Sequence, residues 1–169
     1  MVKILKLAIL SVIILFAVVL AISLFIPSHI RISRAVNLKP SAISVLTKIS
    51  DIGDWKEWYP GFDTMNIEPL SSKDNQVVSA KIQHATTVTI ISDKKDEVQA
   101  EFRSGRKEPV IGGWKMLAYN QTDSLTLQWY FDFNIKWYPW EKFFSLAYDK
   151  MYGAQMETGL SNLKKIAER

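Results

Sequence analysis

The chain has 169 residues, no cysteine and two histidines, which excludes a disulfide framework, a thiolate metal site and a histidine-rich metal centre. Its formal net charge of +4 at pH 7 owes much to Lys3 and Lys6, and the remainder is close to neutral. No block of basic residues is interleaved with aromatic ones, so we predict no nucleic-acid partner. The residues that follow the apolar N-terminus suffice for one domain of common size.

The first predicted element is a membrane-spanning helix. The 20 residues from Leu7 to Ile26 carry no charge, and an α-helix of that length extends for about 30 Å, the hydrocarbon thickness of a bilayer. A cleaved signal peptide is the alternative, but the apolar run is long for one, and Ala21 and Ser23 make a weak cleavage site. We therefore predict a transmembrane anchor over residues 1–29, in contact with the membrane through residues 4–26.

The flanking charges bear on the orientation of this single-pass anchor. Lys3 and Lys6 favour a cytoplasmic N-terminus, whereas Arg31, Arg34 and Lys39 on the other flank oppose it. The short leading segment has the form of a signal anchor. We expect the domain to lie on the extracytoplasmic side of the membrane.

The first strand of the domain is predicted from Ile30 to Leu38, where apolar and polar residues alternate. Arg34 interrupts the apolar face, and it either lies at a sheet edge or points into a cavity, where it would hold an anion. Two short helices are predicted next. The second contains Trp55 and Trp58, which share a helical face and either close a pocket or fill the end of a core.

Alternating patterns separated by short polar turns predict an antiparallel sheet in the middle of the chain. The region from Phe62 to Leu70 is a candidate for a further strand. His84 falls on an apolar face, where a place in the core or at a cavity rim is favoured over a role as catalytic base. The four clearest strand patterns cover residues 78–84, 87–90, 98–103 and 114–119.

The last strand is predicted from Leu125 to Trp137, where apolar and polar residues alternate. Pro139 ends it, since proline has no N–H to donate to the ladder. A single long amphipathic helix is then predicted to lie on the apolar face of the sheet. Its apolar residues recur mostly at spacings of three and four: Phe144, Tyr148, Met151, Tyr152, Met156, Leu160, Leu163 and Ala167.

Both ends of the domain resemble a known family. The segment RISRAVNLKPSAISVLTKISDIGDWKEWYP, which begins at Arg31, is similar to the N-terminal signature of the SRPBCC superfamily, whose members include polyketide cyclase/dehydrase-like, START-type and pollen-allergen-like proteins. The ending YDKMYGAQMETGLSNLKKIAE is similar to the last helix of small bacterial members, with Gly159-Leu160 before Asn162-Leu163-Lys164. The middle strands match in pattern only.

This resemblance implies an α+β helix-grip fold. A curved antiparallel sheet of about six to seven strands would wrap on a long C-terminal helix, with two short helices after the first strand. The resemblance further implies that residues 30–169 form a ligand-binding domain with a hydrophobic cavity under the last helix. The cavity-facing candidates, each of which could equally be a core residue, are Trp55, Trp58, Trp114, Trp129, Phe131, Phe133, Tyr148, Met151 and Met156.

These observations favour a non-catalytic, membrane-anchored module that binds a hydrophobic or amphipathic small molecule such as a lipid, a quinone or a polyketide-like compound. One alternative is a cyclase- or hydrolase-type enzyme that uses Arg34 or His84 as a polar cavity group. Another is a packed structural or interaction domain without a ligand. We expect no cofactor and no metal site, and the sequence names no protein partner. A cavity above about 300 Å³ would favour the first two interpretations over the third.

Overall fold

The computed structural model describes residues 2–39, 45–83, 85–105, 108–118 and 125–168. A 3-10 turn, Ile52–Asp54, lies between the second and third helices. The described elements are, in chain order, α1 (Val2–Leu24), β1 (His29–Leu38), α2 (Val45–Ser50), α3 (Trp55–Trp58), β2 (Ile67–Lys73), β3 (Gln76–Ile82), β4 (Thr86–Asp93), β5 (Glu97–Ser104), β6 (Val110–Ala118), β7 (Leu125–Asn134), α4 (Pro139–Ser145) and α5 (Tyr148–Ala167).

The seven strands form one sheet in the order β1-β7-β6-β5-β4-β3-β2, and every neighbouring pair is antiparallel. The first and last strands pair along their whole length, from His29 opposite Asn134 to Leu38 opposite Leu125. Strands β1 and β2 form the two edges of the sheet, and α2 and α3 lie between them in the chain. The predicted α+β class and strand number are confirmed. Strand β2 begins at Ile67, so it overlaps only the second part of the candidate strand from Phe62 to Leu70, and β7 ends at Asn134 rather than at Trp137.

One face of the sheet carries the core. Along β7 the side chains of Leu127, Trp129, Phe131 and Phe133 are all buried, as the alternation of the sequence predicts. Helix α5 contacts β1, β7, α2 and α3. Its buried residues recur at spacings of one, three and four, which defines a single face directed at the sheet: Gly153, Met156, Gly159, Leu160 and Leu163.

The C-terminal helical region is not the single straight helix that the periodicity predicts. Helix α4 ends at Ser145 and α5 begins at Tyr148. Between them, the backbone N–H groups of Leu146 and Ala147 donate to carbonyls three residues back, which tightens the last turn and ends the α4 register. The two helices therefore pack on different parts of the molecule.

Helix α1 is exposed along most of its length, and its C-terminal end contacts α4. Among the residues that the structure describes, the segment Lys3–Leu24 is the one helix that is long and apolar enough to cross a membrane. Length and composition alone do not separate a span from a signal sequence.

Candidate functional site

Four tryptophans fill the space between the sheet and the helices that cover it. Trp55, Trp58, Trp114 and Trp129 are each no more than 1% exposed. The Trp58 ring meets those of Trp114 and Trp129 edge to face, with both centroid separations 5.8 Å. Such contacts add to the free energy gained by burying the rings. Trp55 and Trp58 are thus buried among other rings of the core.

Short helix α3 is held in place by its own tryptophans. The indole N–H of Trp55 donates to the carbonyl of Ile49 at 2.8 Å, and that of Trp58 donates to the carbonyl of Lys48 at 3.4 Å. At the start of the 3-10 turn, the Asp51 carboxylate accepts from the backbone N–H groups of Gly53 and Val77 at 2.8 and 3.1 Å. These bonds connect α2, α3 and β3.

Trp114 and Trp129 are opposite each other on β6 and β7, with ring centroids 5.4 Å apart. Their two indole nitrogens are buried and have no hydrogen-bond partner among the described residues. A buried unpaired donor costs about 1–3 kcal/mol. The apolar interior therefore contains two unused hydrogen-bond donors.

The other cavity candidates lie in three environments. Phe131, Phe133 and Met156 are buried in the core. Tyr148 is half-buried, with its ring centroid 4.7 Å from that of Phe133. Met151 is 52% exposed, because it lies on the face of α5 that is turned away from the sheet.

An open cleft of about 200 Å³ lies between α5, the strands β3 to β5 and the loop after α3. Most of its wall is apolar, and Gln83, Thr86 and Gln155 supply polar groups at its border. None of the nine predicted cavity residues lines this cleft. The apolar part of the wall consists of Tyr59, Phe62, Met65, Ile82, Ala85, Val88 and Phe102.

Part of the cleft wall follows from the strand alternation of the sequence. Val88 and Phe102 are opposite each other on β4 and β5, and both belong to the inward sets of their alternating strands. Tyr59 and Phe62 follow α3 in a turn, and the sequence pattern did not place them. Burial raises the pKa of Tyr59, so its phenol stays neutral in the cleft wall.

A larger cleft of about 390 Å³ lies at the C-terminal end of α5, against α2 and the 3-10 turn. Its border carries Lys48, Asp51 and Asp54. Lys48 forms ion pairs with Asp54 at 3.1 Å and with Glu57 at 3.3 Å, and Asp51 caps the turn. Because these charged groups are already paired, this cleft is a less suitable apolar site than the smaller one.

Arg34 lies on edge strand β1 and reaches across to α5. Its guanidinium pairs with Asp149 at 3.0 Å and with Glu157 at 2.8 Å, and these bonds raise the pKa of Arg34. Arg34 does not line the cleft under α5. With its charge shared between two carboxylates, Arg34 joins the sheet edge to the helix.

His84, the other polar candidate, lies outside the described residues. Within the ranges that the structure does describe, no group of three or more histidine, aspartate or glutamate side chains is arranged to hold a metal ion.

No family model matches the sequence, and no curated protein matches it either. Solved structures, however, share its architecture. A solution structure from Thermobifida fusca superposes with a TM-score of 0.59 at 11% identity, covering 81% of this chain and 92% of that one. A START superfamily protein from Mycobacterium smegmatis gives a TM-score of 0.56 at 16% identity, covering 83% and 97%.

The di-domain ARO/CYC protein StfQ of the steffimycin biosynthetic pathway superposes with a TM-score of 0.58 at 13% identity. The match covers 83% of this chain and 51% of StfQ, so the chain spans about half of that di-domain protein. The chain has the helix-grip fold. At these identities the comparison establishes the helix-grip architecture alone, and the chemistry must be argued from the site.

Proposed function

We propose that this helix-grip chain is a membrane-anchored module that binds a hydrophobic or amphipathic small molecule. In this proposal, residues 1–29 form the anchor and residues 30–169 form the binding domain. The observation that carries it is the apolar cleft of about 200 Å³ under α5. Burial of a ligand there would contribute about 25 cal/mol per Å² of apolar area removed from water.

The size and lining of the cleft limit the ligand. A volume of about 200 Å³ is below the roughly 300 Å³ set above for a cavity that encloses a whole small molecule. It suits one ring system or one acyl segment, with the rest of the ligand outside. The amide groups of Gln83 and Gln155 at the border can bond a polar headgroup, which favours an amphipathic ligand over a pure hydrocarbon.

The aromatic interior adds a second reason for an amphipathic ligand. The indole donors of Trp114 and Trp129 lack partners among the described residues, and a carbonyl or ether oxygen that reached them would recover the cost of burying them unpaired. Tyr59 and Phe102, whose ring centroids are 6.5 Å apart, lie between the cleft and this aromatic interior. Anchoring at a membrane would place the cleft where molecules of this kind dissolve.

The direct test is native mass spectrometry of the full chain, purified from membranes in mild detergent, with extraction and identification of bound lipophilic compounds. A compound recovered at constant stoichiometry supports the proposal. A chain that carries no such compound and takes up no added apolar fluorophore would show that the interior is a packed core without a ligand.

A pair of variants tests whether a ligand binds in this cleft. Ala85→Trp puts a large ring into the exposed rim, where we expect it to abolish fluorophore uptake. Ala118→Trp makes the same change at an exposed position at the end of β6, away from the cleft, and we expect it to leave uptake unchanged. Equal loss in both variants, or in neither, would contradict binding in this cleft.

A further inference from the structure

Helix α4 buries polar side chains and exposes apolar ones. Its polar residues Lys142 and Ser145 are only 4% and 3% exposed, whereas Trp140 and Phe144 are 63% and 56% exposed. Phe143 is also exposed. A surface helix of a water-soluble domain normally has the opposite arrangement, with apolar side chains inward and charged ones outward.

The buried lysine of α4 is bonded to the end of α1. Lys142 Nζ donates to the carbonyl of Ile26 and to Ser28 Oγ, both at 2.7 Å. Both acceptors lie in the segment between α1 and β1, and the two bonds compensate for the burial of the ammonium group. Lys142 thus attaches the inner face of α4 to the residues that follow α1.

The buried positions of α1 show where along its axis α4 packs against it. Ser23 is fully buried and Val19 and Leu20 are half-buried, whereas the preceding described side chains of α1 are exposed. At 1.5 Å per residue, these positions lie within about 8 Å of the end of the helix. An α1 that spans a bilayer would therefore place α4 beside the end of the span, where hydrocarbon meets headgroups.

The exposed apolar surface continues on both sides of α4. Trp137 is 62% exposed before it and Leu146 is 65% exposed after it, while Phe25 at the end of α1 is 90% exposed. Tyr138 and Trp140 are stacked, with centroids 4.9 Å apart. Tryptophan and tyrosine are enriched at membrane–water interfaces, because an aromatic ring enters the apolar layer while its polar atom stays hydrated.

We propose that the segment Trp137–Leu146 is an interfacial membrane-binding element that inserts its aromatic face into the lipid bilayer beside α1. This inference rests on the anchoring part of the proposed function, and it is independent of ligand binding. Two attachments at the same depth fix the tilt of the domain, which a single span cannot do. Exposed rings that face lipid also remove the cost of an aromatic patch in water.

Because the chain contains no cysteine, a single introduced cysteine is labelled site-specifically. Trp140→Cys and Phe144→Cys place an environment-sensitive nitrobenzoxadiazole label on α4, and Leu70→Cys serves as the control. Leu70 is apolar and 58% exposed, but it lies on β2 at the opposite sheet edge. Each labelled full-length chain is reconstituted into phosphatidylcholine vesicles with or without phosphatidylcholine that is spin-labelled near the headgroup.

We expect all three proteins to float with the vesicles, and the labels at residues 140 and 144 to lose most of their fluorescence to the spin-labelled lipid. The label at residue 70 should keep its fluorescence and a water-like emission maximum. Flotation without quenching at 140 and 144 would overturn the inference and leave the anchor intact. Failure to float would overturn the anchor and, with it, this inference.

Chemical crosslinking through the same introduced thiols separates lipid from a second copy of the chain. Efficient crosslinking between copies of the Trp140→Cys or Phe144→Cys variant, combined with no lipid quenching, would show that a protein surface covers the aromatic face. Quenching that persists when each vesicle holds on average less than one copy supports the bilayer as the occupant.

Discussion

Gly159 of α5 lies directly against the ring of Trp129 on β7. A Cβ atom added to Gly159 would be 2.6 Å from Trp129 Cζ3 and 3.1 Å from Cδ of Pro60. Both distances are shorter than ordinary van der Waals contact. The absence of a side chain at this position therefore sets how closely the C-terminal helix approaches the sheet.

The first prediction concerns this contact. Gly159→Ala should destabilise the domain by about 1–3 kcal/mol, because the added methyl group overpacks a rigid ring. The cost of overpacking acts against the intrinsic preference of helices for alanine over glycine, which by itself would stabilise the variant by about 1 kcal/mol. Urea unfolding of the full chain in detergent, followed by tryptophan fluorescence, measures the difference.

Two controls separate packing from helix propensity in this experiment. Thr158→Ala alters the neighbouring, exposed position on the same helix and should change stability little. Trp129→Phe in the Gly159→Ala background should make the methyl group less costly than it is in the parent chain, a coupling that a double-mutant cycle reports. Stabilisation by Gly159→Ala alone would contradict the close approach of helix and sheet.

The second prediction concerns the attachment of α4 to α1. Lys142→Met removes the donor to Ile26 and Ser28, and hydrogen bonds from charged groups contribute about 1.5–3 kcal/mol. We expect faster amide hydrogen exchange at the end of α1 and the start of β1. Lys136→Met is the matched control, because Lys136 is exposed and its pair with Glu108 is 3.7 Å long. Equal exchange in both variants would argue against the attachment.

The third prediction concerns the bridge from β1 to α5. The hydrogen bond from Arg34 lowers the pKa of Asp149. Since the folded-state pKa is below the unfolded value, the associated stability is present above the unfolded pKa and is lost as pH falls through the folded pKa. Arg34→Gln should therefore raise the Asp149 pKa towards its ordinary value, and an NMR titration of the Asp149 carboxyl carbon measures this change.

Arg103→Gln provides the control for that titration. Arg103 pairs with Glu101 on β5 at 2.8 Å, away from α5, and its loss should leave the Asp149 pKa where it is in the parent chain. An Asp149 titration that is the same with and without Arg34 would show that the ion pair does not persist in solution.

The fourth prediction concerns alkaline pH. Burial raises the pKa of Tyr59, whereas in the unfolded chain a tyrosine ionises near pH 10. The stability that neutral Tyr59 supports is fully present below about pH 10 and declines above it, as the unfolded chain loses its proton first. Tyr59→Phe should make the loss of stability above about pH 10 less steep, measured by thermal unfolding across the pH range. An unchanged slope would show that Tyr59 does not contribute to it.

Periodicity was sufficient to predict the strand-rich architecture. On β7, Leu127, Trp129 and Phe131 recur at every second position, and only a strand with one buried face accounts for that spacing. The spacing of Met156, Leu160 and Leu163 likewise predicted the face of α5 that meets the sheet. These features depend on local geometry, so the order of residues along the chain is enough to predict them.

Periodicity could not predict the break between α4 and α5. A two-residue interruption at Leu146 leaves the apolar spacing almost unchanged, so the pattern continues from Phe144 to Tyr148 as if the helix were continuous. The break became visible only through the contacts of each part, with α4 on α1 and α5 on the sheet.

The same limit applies to the candidate site. Alternation determined that Trp114 and Trp129 point inward, helical spacing put Trp55 and Trp58 on one face, and the length of the apolar run from Leu7 determined that a span is possible. Whether inward rings line a cavity or fill it depends on the distance between α5 and the sheet, which Gly159 and Trp129 set across the fold. Only the tertiary structure decided that these rings pack against one another and that the open cleft lies instead beside Tyr59 and Phe102.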